Sequence, residues 1–198
     1  MTPAKRESYH HGDARNALLG AAAALLEKVG ARGLSLRGLA AKAGLSHQAP
    51  YNHFPDKEAL LAELVGEGFK RLKARICATP GYPTSAASLE RAAEAYIGFA
   101  QHSPALFRLM FSRELVDISR FPEVFKVASE AFGSMRMIIA TLTTPARVDE
   151  LALAAWCLVH GYATLCIENG LEDERRRSQR ARMFARMLRK DADGCGEA

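Results

Sequence analysis

Ser35-Leu36-Arg37-Gly38-Leu39-Ala40-Ala41-Lys42-Ala43-Gly44-Leu45-Ser46-His47-Gln48-Ala49-Pro50-Tyr51-Asn52-His53-Phe54 reads as two short helices around a tight turn. Ser35 is an N-cap residue, since its hydroxyl can accept a hydrogen bond from an orphan backbone N–H. Leu36, Leu39, Ala40 and Ala43 recur at helical spacing. Gly44 stands where the first helix must stop, because glycine enters the left-handed C′ conformation without strain. Ser46 is then expected to cap a second helix over residues 47–54. Pro50 lacks an N–H and falls in or beside its first turn, so that helix should start late or bend. Helix, glycine turn, helix is the sequence form of the helix-turn-helix, whose second helix enters a DNA major groove.

The second helix carries His47, Gln48, Tyr51, Asn52 and His53, all hydrogen-bonding groups. Gln and Asn can read adenine edges, and Tyr or His can bond phosphate. The candidate base readers are therefore Gln48, Tyr51, Asn52 and His47. Candidate phosphate contacts are Ser35, Arg37, Ser46, His53 and Lys57, with Lys5 and Arg6 from the N-terminal arm.

Charge is distributed in the same sense. The chain carries a formal net charge of +5. Residues 1–57 hold eight basic groups against four acidic, and residues 173–190 hold eight against two, while the stretch between them is slightly acidic. A basic N-terminal block is what a phosphate-facing surface requires.

Working outward, residues 1–12 read as a flexible basic arm with Lys5, Arg6, Tyr9, His10 and His11. The polar, basic start predicts no signal peptide. The adjacent histidines lack a third ligand, so no metal site is expected. A helix follows from Asp13 to about residue 29, with Leu18, Ala21, Ala22, Leu25, Leu26 and Val29 on one stripe and Gly30 at its end.

Downstream, Asp56 is a natural cap for a long helix reaching about residue 77. Lys57 at its start is set to meet a phosphate near free N–H groups. Residues 79–85 hold two prolines and a glycine and mark a linker. Helices are then expected over residues 88–102, 105–113, 123–142, 148–169 and 173–190, with Ser103-Pro104 opening the second of these. The segments are domains in outline: arm 1–12, DNA-binding unit 13–57, connecting helix 58–78, regulatory and dimerisation unit 79–190, and a disordered tail 191–198.

Tyr9-His10-His11-Gly12-Asp13, Ala17-Leu18-Leu19, residues 39–46, and Tyr51-Asn52-His53-Phe54-Pro55-Asp56-Lys57 together resemble the N-terminal domain of TetR-family transcriptional repressors. The spaced set Tyr51, Phe54 and Lys57 is the most specific part. Trp156-x-x-x-His160-Gly161 is similar to a C-terminal domain type named for its tryptophan, histidine and glycine. The resemblance implies an all-α fold, in which an N-terminal helix-turn-helix domain joins a helical ligand-binding and dimerisation domain. It implies a homodimer on an inverted-repeat operator of double-stranded DNA. It also implies a small-molecule inducer inside the second domain.

For that inducer, Phe99, Phe107, Met110, Phe111, Phe132, Met135, Ile139 and Tyr162 are candidate pocket residues, since apolar side chains line pockets as well as cores. The family places the last two helices in a four-helix dimer interface. Trp156, Val159, His160, Ala163, Phe184, Met187 and Leu188 are the candidates there. His160 reads either as a core histidine or as a ligand contact. Residues 151–167 carry no charge. The run is short for a bilayer and is read as buried on all sides rather than as a membrane span.

No Gly-rich phosphate loop, Ser–His–Asp signature or metal-spaced cluster points to an enzyme, and no cofactor is implied. Cys77, Cys157, Cys166 and Cys195 form no Cys-x-x-Cys pair, which suits a reducing cytoplasm. Two functional alternatives stand at this point: a repressor released by an apolar inducer, or a DNA-binding regulator, repressor or activator, with no small ligand.

Overall fold

A computed structural model describes residues 11–84, 87–170 and 174–193. Among the described residues eight α-helices follow one another: α1 (His11–Gly33), α2 (Leu36–Lys42), α3 (Lys57–Cys77), α4 (Ser88–His102), α5 (Pro104–Met110), α6 (Pro122–Ala140), α7 (Val148–Asn169) and α8 (Glu174–Asp193). Short 3-10 turns at Ala49–Asn52, Ile118–Arg120 and Pro145–Arg147 punctuate them. No strand occurs among the described residues.

Local chemistry explains the boundaries. Gly30 takes φ 67°, ψ 170° and kinks the end of α1. The helix axis therefore turns where the sequence expects it to stop. Val29, read as part of the buried stripe, is instead 50 % exposed beside that kink. Ser35 Oγ accepts from Gly38 N at 3.1 Å and caps α2. Gly44, at φ 68°, closes α2 with Gly44 N donating to Ala41 O and Leu45 N to Ala40 O, the paired bonds of a Schellman turn. Asp56 caps α3 through Ala59 N at 2.8 Å. Gly170, at φ 62°, ends α7.

Long helix α3 is the axis of the molecule. It packs on α1, α4, α5 and α6, while α4 in turn packs on α7 and α8. Leu60, Leu64, Val65, Phe69, Leu72 and Ile76 make its buried stripe. One continuous apolar core joins α1 through α8, from Leu18 to Leu188. Truncating a fully buried leucine such as Leu60 or Leu72 to alanine would cost about 2–5 kcal/mol.

Two expectations give way here. Ser103 makes no side-chain cap on α5. The carboxylate of Glu27 on α1 accepts from Ala105 N at 3.0 Å and Leu106 N at 3.1 Å in its place. Tertiary packing thus supplies a cap from 78 residues upstream, and it ties the N-terminal helix to α5. The tail also differs: α8 runs on to Asp193, three residues past its expected end. Helix α7 with its preceding turn, Pro145–Asn169, is long and apolar enough to cross a membrane by composition alone, with a mean hydropathy of 1.4. In the fold it packs against α4, α6 and α8.

Candidate nucleic-acid interface and ligand cavity

The turn after α2 presents the candidate readers. Instead of a helix over residues 47–54, the chain forms a turn and then the 3-10 helix Ala49–Asn52. Pro50 is the cause. It has no N–H to return to the Ser46 carbonyl, and its ring excludes an α-helical neighbour there. Ala49 N bonds the Ser46 carbonyl at 3.1 Å, and Tyr51 N bonds Gln48 O at 3.2 Å, the shorter spacing of a 3-10 turn. Ser46 therefore acts through its carbonyl, and the short helix has no side-chain cap. Pro50 and Phe54 are buried and hold the turn to the core, while Ser46, His47, Gln48, Tyr51 and Asn52 face outward. His53 is half-buried. Ser35 and Arg37 are exposed on the neighbouring α2 edge. Lys5 and Arg6 lie outside the described residues.

Two contacts join this head to the long helix, and a third braces the head itself. Lys57 Nζ donates to the Arg32 carbonyl at 3.0 Å, which joins the start of α3 to the end of α1. Partial burial pulls the Lys57 amine below its usual range. One of its three N–H groups is engaged there, so the ammonium keeps donors for a phosphate. Arg15 pairs with Glu63 at 2.5 Å and lies over the Phe54 ring at 5.5 Å.

Further along α3, a cavity of about 640 Å³ opens between α3, α5, α6 and α7. Phe69, Met110, Phe111, Phe125, Phe132 and Trp156 make most of its wall, and Arg113, Asp117 and Ser119 stand on the segment that joins α5 to α6. The rings meet edge to face: Phe69 with Phe111 at 5.6 Å, Phe111 with Trp156 at 6.2 Å, and Phe132 with Trp156 at 5.3 Å. Asp117 Oδ1 accepts from Ser119 N at 3.2 Å and Ser119 Oγ at 2.7 Å. Those two bonds, with the nearby arginines, hold its carboxyl below the usual carboxylate range.

Of the residues read as pocket candidates, Met110, Phe111 and Phe132 line this space. Phe99, Phe107, Met135 and Ile139 do not: all four are core, at most 2 % exposed. Tyr162 packs edge to face on Phe184 at 5.4 Å, away from the cavity. Helical periodicity marks an apolar face but not which part of it meets a void, so these four and the true wall look alike in sequence. Phe69 and Phe125 carry the same stripe signal, which does not set them apart as wall residues. Asp117 and Ser119 sit in an aperiodic connection that gives no signal at all.

The Trp156/His160 pair turns inward, against its assignment to a dimer interface. His160 Nδ1 meets Tyr96 Oη at 2.9 Å, and its ring lies 4.3 Å from Phe111 and 5.3 Å from Phe107. Burial lowers the His160 pKa and raises that of Tyr96. The bond therefore joins a protonated tyrosine hydroxyl and a neutral imidazole. Val159 and Ala163 are buried in their own chain, as are Phe184 and Leu188, so these side chains are spent on the core. Between its polar ends, α7 shows Leu153, Cys157, Gly161 and Leu165 to the outside, four positions one turn apart. Leu153 is 57 % and Leu165 52 % exposed, and Met187 on α8, also 52 %, is the one interface candidate that stays outside.

Residues 18–64 match the family model for bacterial regulatory proteins of the tetR family, and residues 89–190 match that for a tetracyclin repressor-like C-terminal domain. The second match is consistent with the Trp-His-Gly type. A protein of unknown function from Rhodococcus sp. RHA1 is similar in structure, with a TM-score of 0.78 and 32 % identity over 92 % of this chain and 99 % of that one. A bacterial regulatory protein in the tetR family from Rhodococcus RHA1 gives 0.68 at 21 % identity, covering 88 % and 96 %. The TetR family transcriptional regulator PfmR from Thermus thermophilus gives 0.65 at 20 %, covering 87 % and 97 %. The last two support the fold. No curated protein matches the chain.

Proposed function

We propose that this chain, which belongs to the TetR family of DNA-binding transcriptional regulators, acts as a homodimeric repressor released by a small apolar inducer. The observation that carries it is the outward set Gln48, Tyr51 and Asn52, held on a turn that Pro50 and Phe54 anchor in the core. Those three would reach base edges, with His47 beside them. Ser35, Arg37, Ser46, His53 and Lys57 would position the head on phosphates, joined by Lys5 and Arg6. A two-fold dimer would take an inverted repeat with half-sites about 34–36 Å apart or a multiple of that.

The proposed division of labour has residues 13–57 as the reading head, 58–78 as the connecting helix and 79–190 as the regulatory and dimerisation unit, in a cytoplasmic protein. The aromatic cavity supports an inducer over a regulator with no small ligand. Its rim residue Asp117 is hydrogen-bonded to Glu58 in the first turn of α3. An occupant that displaces residues 116–119 would therefore pull on the helix that carries the head. It would favour a dimer whose two heads are wrongly spaced, which needs only a few kcal/mol of preference.

The exposed stripe Leu153, Cys157, Gly161 and Leu165, with Met187, supports a dimer through the outer faces of α7 and α8. The deciding experiment is an anisotropy titration against DNA flanking the protein's own gene, at fixed salt. Tight binding to one inverted repeat supports the proposal. Weak binding without sequence preference, there and in a selection from random DNA, overturns it.

A further inference from the structure

The chemistry of the cavity wall narrows its occupant. Five aromatic rings, Phe69, Phe111, Phe125, Phe132 and Trp156, surround the space, and its volume of about 640 Å³ suits a small molecule. Their edge-to-face arrangement offers both ring faces and ring edges to whatever enters. A flat π-system can meet both at once.

Charge and hydrogen-bond capacity exclude the other classes. Arg113 and Asp117 are the charged residues of the lining. Asp117 already faces Arg113 at 4.0 Å, and Arg120 close by is paired with Glu58 at 2.5 Å. The rim thus holds two cations and two anions and is balanced. An organic cation that paired with Asp117 would meet two arginines, and an organic anion that paired with Arg113 would meet Asp117. Arg113 is moreover 87 % exposed, so a partner there would stay in water. Deeper in, no charged side chain lines the wall. A buried ligand charge would go uncompensated. The two hydroxyl protons are spent as well: Ser119 Oγ donates to Asp117, and Ser129 Oγ donates to the Phe125 carbonyl at 2.9 Å.

We infer that the cavity takes a neutral, flat aromatic molecule and discriminates against organic anions and cations of the same size. This rests on the proposal that the cavity is the regulatory ligand site, and adds the ligand's class to it.

Trp156 is the sole tryptophan of the chain and stands in the wall, so its emission reports on this site. The test titrates the full chain with N-phenyl-1-naphthylamine, with its sulfonated relative 8-anilino-1-naphthalenesulfonate, and with ethidium as a flat cation. The neutral probe should quench Trp156 saturably, and the two charged probes should bind at least about tenfold more weakly. Ala128→Phe, which fills the space from α6, should weaken the neutral probe by a similar factor while circular dichroism stays unchanged. Ser129→Leu on the same wall serves should Ala128→Phe fail to fold. Charged probes that bind as well as the neutral one overturn the inference, and so does a neutral probe that fails to bind or ignores both variants. The parent proposal fails separately: a neutral probe that fills the cavity without weakening operator binding leaves the ligand class intact and removes the inducer role.

Discussion

Asp117 and Glu58 are joined across the two halves of the molecule: the Asp117 backbone N–H donates to Glu58 Oε1 at 3.3 Å, and Arg120, three residues on, pairs with Glu58 Oε2 at 2.5 Å. Glu58 sits one residue after Lys57, whose amine holds the end of α1. Cavity rim and reading head therefore share one turn of α3.

Glu58→Gln and Arg120→Ala should each lower stability by about 1 kcal/mol or less, since Arg120 is well exposed. A double-mutant cycle by thermal denaturation should return a coupling on the order of 0.5 kcal/mol. Both variants should still bind operator, but a cavity ligand should release them less effectively than the parent. Unchanged ligand response in both would mean that the signal travels elsewhere.

His160 provides a pH signature. Its folded pKa is depressed by burial, so between that value and the unfolded value of about 6.5 the unfolded chain binds more protons. Stability should be full above about pH 6.5 and fall as the solution is made more acid. The His160→Asn variant should lose part of that acid slope in melting curves taken from pH 8 to 5. Equal slopes in parent and variant would contradict a buried neutral imidazole.

Leu153→Glu combined with Leu165→Glu should give monomers in sedimentation velocity, because both changes place charge on the exposed stripe of α7. Val159→Ala should instead leave the dimer intact and cost about 1–3 kcal/mol of stability, as a cavity in the core does. A dimer that survives both glutamates would put the interface on another face.

Lys57→Met should weaken operator binding uniformly across sequences and reduce the salt slope by about one unit. It should also lower the melting temperature, because it releases the Arg32 carbonyl. Arg37→Ala should show the binding effect alone, since Arg37 is exposed.

Much of this architecture is legible in the sequence because its signals are local. Ser35 and Asp56 cap the helices they precede, and Gly44 and Gly170 adopt the left-handed conformation for which glycine is suited. Helices α4 and α7 begin and end where apolar spacing places them. What is not legible depends on distant partners. The sequence leaves His160 open between a core histidine and a ligand contact until Tyr96, 64 residues upstream, meets the imidazole. Glu27 displaces Ser103 as the cap of α5 by the same kind of long-range contact. The reading turn is legible in position but not in form, since Pro50 shortens the second helix to a 3-10 turn.

The measurement closest to the central claim is fluorescence anisotropy of the parent, Gln48→Ala and Tyr51→Ala on one inverted-repeat operator and on scrambled DNA, at one salt concentration. Each substitution should cost about 1–3 kcal/mol on the operator and leave the scrambled duplex unaffected, because base contacts specify and phosphate contacts do not. Equal losses on both duplexes, or none on either, would contradict a base-reading role for the turn that Pro50 and Phe54 hold in place.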